Sequence, residues 1–312
     1  MSRNRNLKYQ FDNVITNNKS FKEGMDKHSM KRNGLEKNSK VFSYSDRKNL
    51  IDLSSNFSNF MKEKHSEIKM LKDIKPSHVQ EFLESKRDNC SQQTLNQYKS
   101  YFNKLEVLTN NTYKTNVNFS NVVTPVSIKN GGGKIRTDML SNENYNRMIN
   151  NTTNTNLKNS LMLSKNFSCR SNELSKLRYS DLKYDESSDL SKSGIFICDS
   201  KGGRSRFVSC DTQEQKNIIK NFLESGQQGR ICPIQSSSLQ QSFRREKKKL
   251  NISSQSDFHS TRKSYATESY QRYREQGMSI QESMNKVSFN LGHGDNGNRN
   301  DLMKEYICCQ LV

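Results

Sequence analysis

The stretch SCRSNELSKLRYSDL, residues 168–182, guides the interpretation of the rest of the chain. A spacing of i, i+3, i+4 and i+7 relates Arg170, Glu173, Leu174 and Leu177, and it predicts that they share one helical face. An arginine on the same face as two leucines needs a partner, because a buried guanidinium is costly without one. Glu173 can supply that partner. Alternatively, Arg170 projects from the helix start toward an anionic ligand, which suits its forked geometry. The stretch alone leaves both interpretations open.

A second stretch, GIFICDSKGGRSRFVSC (194–210), predicts a β-hairpin. Two β-rich runs flank Lys201-Gly202-Gly203-Arg204, which has the composition of a glycine turn. Lys201 at the tip is either a solubility device or a side chain that reaches a phosphate. A nucleotide P-loop is excluded, because the Gly-x-x-x-x-Gly-Lys-Ser/Thr spacing is absent.

Two more stretches complete the set of candidate residues. DFHSTRKSYATESY begins at residue 257 and places a histidine and an arginine three apart, so that they share a helical face. LGHGDNGNRNDLMKEYICCQLV begins at residue 291 and places a histidine and a tyrosine around a polar loop. Neither stretch contains a His-Glu-x-x-His metal pattern. The candidate residues are His259, Arg262, His293 and Tyr306.

The formal net charge of +19 indicates a polyanionic partner. Nucleic acid is preferred over an anionic membrane, because no stretch approaches the about 18 consecutive apolar residues that a membrane span needs. The opening MSRNRNLKYQ also lacks the apolar run of a secretory signal. Seven irregularly spaced cysteines without a CxxC pair predict neither a disulfide framework nor a zinc site. We therefore expect a cytoplasmic, DNA-associated protein without a metal or other cofactor.

The first part of the chain predicts a basic arm followed by helices. Residues 1–40 carry ten Lys or Arg against four acidic residues and show little apolar periodicity. They predict a flexible arm, which is either a solvated terminus or a DNA-contacting segment. Three helices with apolar stripes are predicted next, within residues 45–64, 75–86 and 91–108. Ser45 and Ser91 are the predicted N-caps of the first and third, and Pro76 is the predicted first residue of the second.

The third of these helices has a polar outward face. Its side chains are of types that bind phosphates and base edges, although such faces are also common where helices simply meet water. The overall charge favours DNA. The predicted DNA-binding residues are Asn96, Lys99, Asn103 and Lys104.

Residues 109–135 lose the periodicity, and KNGGGK (129–134) has the composition of a linker. A second domain is expected to begin near Ile135, with Ser141 before a further helix. Two domains joined by a flexible basic strap could close around a duplex.

In chain order, the candidate residues resemble the active site of the tyrosine recombinases, the lambda-integrase-like family. The stretch from Arg170 through Glu173 is similar to the first conserved box of that family, and the helices of residues 45–108 are similar to its core-binding domain. The resemblance covers roughly residues 41–307. The family's catalytic positions are matched by Arg170, Lys201, His259, Arg262, His293 and Tyr306.

This resemblance implies a mainly α fold with a small antiparallel β-sheet. An all-α core-binding domain and a mixed α+β catalytic domain would form a C-shaped clamp around DNA. The implied partners are double-stranded DNA at a specific recombination site and other copies of the chain, in a homotetramer on paired sites. The implied division is a basic flexible arm over 1–40, a helical core-binding domain over 41–117, a linker over 118–135 and a catalytic domain over 136–312.

The resemblance also implies a role for each site residue. Tyr306 would attack the phosphate and form a 3′-phosphotyrosyl bond, with His259 as proton acceptor. Lys201 would protonate the leaving 5′ oxygen. The other implied roles are phosphate binding by Arg170, Arg262 and His293, and orientation of the site by Glu173.

Some positions differ from the family pattern. Ser168-Cys169 precedes Arg170 where Gly-Leu is usual, and Thr261 and Lys263 replace a leucine and a histidine of the second box. None of these is a catalytic position. Only ICCQLV follows Tyr306, whereas many relatives have a longer C-terminal segment that enters a neighbouring subunit.

The predicted function is therefore that of a site-specific DNA recombinase, an integrase of a mobile element that uses neither metal nor ATP. A telomere resolvase and a type IB topoisomerase begin with the same chemistry and are the main alternatives. A DNA-binding protein without activity is a further alternative, which the complete set of six residues argues against.

Overall fold

The chain forms two compact units, residues 1–134 and residues 135–312. Each unit has its own hydrophobic core. The computed structural model describes residues 6–17, 21, 30, 34, 37–129, 138–200, 204–294, 297 and 299–308.

The first unit is helical, and its helices begin where the capping signals indicate. Ser43, two residues before the predicted cap, accepts the amide N–H of Asp46, and Ser91 accepts that of Thr94. Pro76 is the first residue of its helix, as predicted. Among the residues of this unit that the structure describes, the α-helices with defined bounds are α1 (Leu7–Thr16), α2 (Tyr44–Lys64), α3 (Pro76–Ser85) and α4 (Gln92–Tyr113).

Helix α1 corrects the prediction of a flexible arm for residues 7–16. Phe11, Val14 and Ile15 are fully buried, and the Phe11 ring contacts the rings of Phe57 and Phe119 at centroid distances of 6.2 Å. The apolar stripe of α1 spans only about two helical turns. The polar residues around it make this stripe difficult to recognise in the sequence. Its burial against the other helices decides its structure.

The segment after α4 corrects the predicted start of the linker. Val117, Phe119 and Val122 are buried in the core of the first unit. The Glu106 carboxylate accepts the amide N–H groups of Phe119 at 2.7 Å and Ser120 at 2.8 Å. This extended segment therefore packs on the unit beyond the predicted boundary at 117, and the contact continues to Ile128, whose amide donates to the carbonyl of Arg87 at 3.2 Å.

The second unit combines helices with one small sheet. The strands β1 (Leu182–Lys183), β2 (Gly194–Ile197) and β3 (Arg206–Ser209) pair antiparallel in that order. Strands β2 and β3 are the two arms of the predicted hairpin, whereas its tip at Lys201 lies outside the described residues. The helices are α5 (Asn142–Asn151), α6 (Thr155–Phe167), α7 (Ser171–Leu174), α8 (Gln213–Glu224), α9 (Ser236–Lys249), α10 (Ser260–Glu275), α11 (Ile280–Asn290) and α12 (Met303–Tyr306).

The helical face predicted across residues 170–177 is wrong in part. Helix α7 ends at Leu174, and a 3₁₀ turn over Tyr179–Asp181 follows. Leu174 and Leu177 are nevertheless both buried. The short helix leaves Arg170 at the N-cap position, at the edge of the core rather than along a continuous stripe.

The fold class is confirmed: the chain is mainly helical, with a three-stranded antiparallel sheet. Within the described part of the chain, no helix has the length and apolar character needed to cross a membrane.

Candidate active site

Five of the six predicted catalytic residues lie close together in the second unit. Each stands at the end of a helix or in the turn beside it: Arg170 caps α7, His259 precedes α10 and Tyr306 ends α12. Arg262 lies in the first turn of α10, and His293 follows α11. Helix ends from distant parts of the sequence therefore converge, which a linear spacing could not reveal.

The Tyr306 hydroxyl is 3.0 Å from Nε2 of His259. The two rings meet edge to face with centroids 5.6 Å apart, and the His293 ring meets the Tyr306 ring in the same way at 4.9 Å. The Arg262 guanidinium lies 6.0 Å from the centre of the tyrosine ring. The hydroxyl therefore has an imidazole nitrogen within hydrogen-bond distance and a positive charge beside its ring.

Contacts of the residues next to Tyr306 fix its position. Met303, one turn earlier, and Ile307, immediately after, are buried against α10 and α11. The amide of Cys308 donates to the hydroxyl of Thr267 in α10 at 3.0 Å. Tyr306 itself is half-buried.

Arg262 is buried, with 1% of its surface exposed. Its guanidinium donates to the carbonyls of Ser168 and, at 2.7 Å, of Leu291. Nε of Arg262 has no hydrogen-bond partner among the described residues. Burial and the nearby Arg170 lower the pKa of Arg262 to about 9, so the group remains charged at neutral pH.

Glu173 is a buried carboxylate among three arginines. It accepts from Arg170 Nη1 at 2.7 Å and lies 3.8 Å from Arg262 Nη1. Arg206 binds it with two parallel hydrogen bonds of 3.0 Å each. Burial alone would raise the pKa of Glu173, but the hydrogen bonds from Arg206 and the charges of the three guanidiniums hold it far below its ordinary range. Glu173 is therefore ionised.

The structure supports the first of the two open interpretations of Arg170, which is its pairing with Glu173. Its Nη1 pairs with Glu173, and its Nη2 donates to the carbonyl of Gly292 at 3.3 Å. Three guanidiniums against one carboxylate leave the cluster with an excess of two positive charges. Such an excess, on forked donors, favours a phosphate or another anion.

Arg206 is a site residue that the sequence interpretation missed. It occupies β3, where the side chains of Arg206 and Val208 point to the buried face and those of Phe207 and Ser209 do not. Side chains alternate between the two faces of a strand, so an arginine two residues from an inward-pointing valine is expected to point inward too. This alternation is the sequence signal for Arg206. The predicted site includes only the tip of this hairpin, at Lys201.

His293 follows a glycine turn that approaches the arginines closely. Gly292 has φ +67°, and a Cβ there would lie 2.8 Å from Arg206 Nη1. His293 Nε2 has no hydrogen-bond partner in the described part of the chain. Burial and the charges of Arg262 and Arg170 lower the pKa of His293 to about 3, so its imidazole is neutral and can donate from one nitrogen.

Three other tyrosines of the same unit lie on α10 and are unsuited to attack. Tyr265, Tyr270 and Tyr273 are each at most 2% exposed. The side chain of Asn290 donates to the hydroxyls of Tyr265 at 2.8 Å and Tyr273 at 3.2 Å. Burial raises the pKa of Tyr265 to about 12 and that of Tyr273 further. These residues support α11 from within the core.

The four residues predicted to bind DNA on α4 differ in their exposure. Asn96 and Asn103 are exposed, and Lys99 is half-buried. Lys104 is buried: its Nζ lies 2.5 Å from a carboxylate oxygen of Asp46 and over the ring of Phe42. Asp46 in α2 is a half-buried partner that the pattern of α4 alone could not show.

No metal site is formed by the described side chains: no group of three or more His, Cys, Asp or Glu residues is arranged to hold an ion. The cations of this site are arginines, whose forked N–H donors suit phosphate oxygens.

Comparison with solved structures relates this arrangement to known folds. The XerH site-specific recombinase, in a post-cleavage complex with a palindromic difH substrate, matches 98% of this chain and 94% of its own at a TM-score of 0.61 and 14% identity. A lambda integrase tetramer bound to a Holliday junction matches 84% of this chain and 72% of its own at a TM-score of 0.57 and 15% identity. The chain has the tyrosine recombinase fold.

A third structure supports the same conclusion. The Tn1549 transposon integrase, in complex with transposon right end DNA, matches 87% of this chain and 92% of its own at a TM-score of 0.50 and 12% identity. No protein-family model matches the chain, and no curated protein matches it. At identities of 12 to 15%, these structural similarities show the tyrosine recombinase fold alone.

Proposed function

We propose that this chain is a site-specific DNA recombinase that cuts and rejoins strands through a tyrosine-linked intermediate. The observation that carries the proposal is the Tyr306 hydroxyl 3.0 Å from His259 Nε2, beside a buried cluster of arginines. A nucleophile, a proton acceptor and a phosphate-binding charge are the three groups that cleavage of a phosphodiester by a protein side chain requires.

In the cleavage step, Tyr306 Oη forms a bond to the phosphorus while the bond to the 5′ oxygen breaks. An unperturbed tyrosine has a pKa of about 10, so attack at neutral pH needs a base. His259 Nε2 takes the phenolic proton. The products are a 3′-phosphotyrosyl bond and a strand that ends in a 5′-hydroxyl.

Arg170 and Arg262 bind the non-bridging oxygens in this proposal. Glu173 and the backbone carbonyls already orient both guanidiniums before DNA arrives, so little reorganisation is needed in the transition state. His293 adds a hydrogen bond from its Nε2, which has no other partner among the described residues. Lys201, outside the described residues, is proposed to protonate the leaving 5′ oxygen.

The intermediate keeps the energy of the broken bond. A 5′-hydroxyl from another strand can therefore attack the phosphotyrosine and restore a phosphodiester without ATP. Four protomers on two sites would complete an exchange, in line with the lambda integrase tetramer described on a Holliday junction. We propose a homotetramer on paired DNA sites for this chain.

DNA binding follows from charge. Alongside the net charge of +19, α9 ends in a basic run in which Arg244, Arg245, Lys248 and Lys249 are exposed. We propose that this run binds phosphates, together with Asn96, Lys99 and Asn103 of α4. In this proposal the first unit is the core-binding domain and the second is the catalytic domain.

A trapping experiment tests the proposal. The protein is incubated with a pool of nicked duplexes whose central region is randomised, so that the short strand released by cleavage diffuses away. The expected product is a denaturant-stable adduct on a DNA 3′ end, and sequencing of the trapped DNA identifies the site. Tyr306→Phe should bind that DNA and form no adduct, whereas Tyr184→Phe, which removes a phenolic hydroxyl elsewhere in the unit, should react normally.

An adduct formed by Tyr306→Phe, or no adduct from the whole pool with the wild-type protein, would contradict the proposal. The reaction products then separate the alternatives. Exchange between two sites indicates a recombinase, relaxation of a supercoiled plasmid with one site indicates a type IB topoisomerase, and hairpin ends indicate a telomere resolvase.

A further inference from the structure

Arg206 uses all three nitrogens of its guanidinium within the protein. Nη1 and Nη2 each donate to one oxygen of Glu173 at 3.0 Å, and Nε donates to the carbonyl of Asn290 at 2.8 Å. The side chain is 5% exposed. A buried guanidinium with a protein partner on every nitrogen has little capacity left for a substrate, so its function differs from that of Arg170, whose side chain is 18% exposed.

The contacts of Arg206 join three parts of the second unit. Glu173 belongs to α7, Asn290 ends α11 directly before the Leu291–His293 turn, and Arg206 itself belongs to β3. Ser200, on the other arm of the hairpin, also donates to Glu173 and accepts from Arg170 at 3.0 Å. Both arms of the hairpin are thus tied to the same carboxylate.

Arg206 also decides which charges remain for a phosphate. Without it, the Glu173 carboxylate would have only Arg170 and Arg262 as cationic partners, and these are the two groups proposed to bind DNA. Arg206 binds both oxygens of Glu173 and adds a third cation, so Arg170 is held by Glu173 while the cluster as a whole keeps an excess of positive charge.

We propose that Arg206 is a positioning residue that fixes Glu173, and through it Arg170 and the Gly292 turn, in the geometry needed to bind the scissile phosphate. This proposal rests on the proposed recombinase function. Arginine is required at this position because the planar fork spans two carboxylate oxygens and a carbonyl at once, whereas a lysine supplies one point of charge.

Single-turnover cleavage of the DNA recovered by trapping tests the proposal, with DNA affinity measured separately at fixed salt. Arg206→Met should cleave about 100-fold more slowly, since a displacement of about 1 Å in an oriented site costs about that factor. Arg206→Lys should be at least about 10-fold slow for lack of the fork. Affinity for DNA should change little, because Arg206 does not contact it. Lys183→Met, which removes an exposed cation from the same sheet, is the matched control.

A second variant is needed because Arg206→Met leaves the buried Glu173 carboxylate without one of its partners and could misfold. The double variant Glu173→Gln/Arg206→Met removes both charges of the pair. It should unfold cooperatively by circular dichroism and still cleave slowly, because Arg170 has lost its support.

The pH profile distinguishes positioning from general destabilisation. Removal of Arg206 takes away the main hydrogen bonds that lower the pKa of Glu173, while burial continues to raise that pKa. The cleavage rate of Arg206→Met should therefore fall further behind wild type as the pH drops from 7.5 to about 5. A loss that is equal at every pH would overturn the positioning role.

The outcomes separate the two proposals. If wild type forms the adduct and a folded Arg206→Lys or double variant cleaves within threefold of it, the role of Arg206 is wrong and the recombinase function stands. If wild type forms no adduct, the recombinase function and this role both fail.

Discussion

Replacement of Glu173 by glutamine should destabilise the second unit strongly. The change keeps the size of the side chain and removes one negative charge from the buried centre of three guanidiniums. The new amide also directs N–H donors at groups that are themselves donors. Arg206 loses one of its two carboxylate hydrogen bonds, and the cluster changes from two excess positive charges to three.

The size of the effect follows from the burial of the group, which is 5% exposed. Breaking a buried ion pair by removal of one partner costs about 3–5 kcal/mol, because the remaining charge stays buried without compensation. For a domain of this size, each kcal/mol lowers the melting temperature by about 2–4 °C. Glu173→Gln should therefore lower the melting temperature of the second unit by about 6–20 °C.

The pH dependence gives a second check. The pKa of Glu173 is depressed in the folded protein, so its contribution to stability is fully present above the unfolded value of about 4.3. It is lost as the pH falls from there toward the folded pKa. The difference between wild type and Glu173→Gln should be constant from pH 8 to about 5.5 and should narrow below about pH 4.

Thermal unfolding followed by circular dichroism measures both effects. Glu186→Gln, which neutralises an exposed carboxylate in the same unit, is the control and should melt within about 2 °C of wild type. If Glu173→Gln also melts within 2 °C of wild type, or if its deficit grows on acidification, the account of the arginine cluster is wrong.

Three further predictions concern Gly292, His293 and Phe11. Gly292→Ala should slow single-turnover cleavage about 100-fold, because the new Cβ would lie 2.8 Å from Arg206 Nη1 at a φ of +67°; a rate within threefold of wild type would contradict this. In NMR titrations without DNA, the His293 imidazole should stay neutral from pH 8 to about 4, since its pKa is lowered to about 3; a midpoint near 6.5 would contradict its burial among cations. Phe11→Ala should lower the free energy of unfolding of the first unit by about 3–5 kcal/mol in urea, and a loss below about 1 kcal/mol would show that α1 is not part of that core.

Much of the local structure was predictable because its causes are local. Pro76 and Ser91 begin their helices as predicted, and the stripe of Val79, Phe82 and Leu83 is buried. These features depend on side chains within a few residues of one another. The start of α2 moved by two residues because Ser43 and Ser45 carry the same capping group, and only the backbone decides between them.

The errors share one physical cause, which is that burial depends on partners far along the chain. Lys104 was expected at the surface, but Asp46 and Phe42 of another segment enclose it. Phe11 was predicted to lie in a flexible arm, but its ring packs against the rings of Phe57 and Phe119. Composition and periodicity describe a segment alone and contain no information about the surface on which it packs.

The sequence by itself determined the order of the candidate residues, the helix starts and the hairpin. Each of these features depends on residues close together in the chain. Only the tertiary structure decided that Tyr306 meets His259, 47 positions away, and that Arg206 pairs with Glu173, 33 positions away. The reason is electrostatic as well as geometric. A buried carboxylate among guanidiniums is stable only when all of its partners are in place together, and the complete fold alone brings them together.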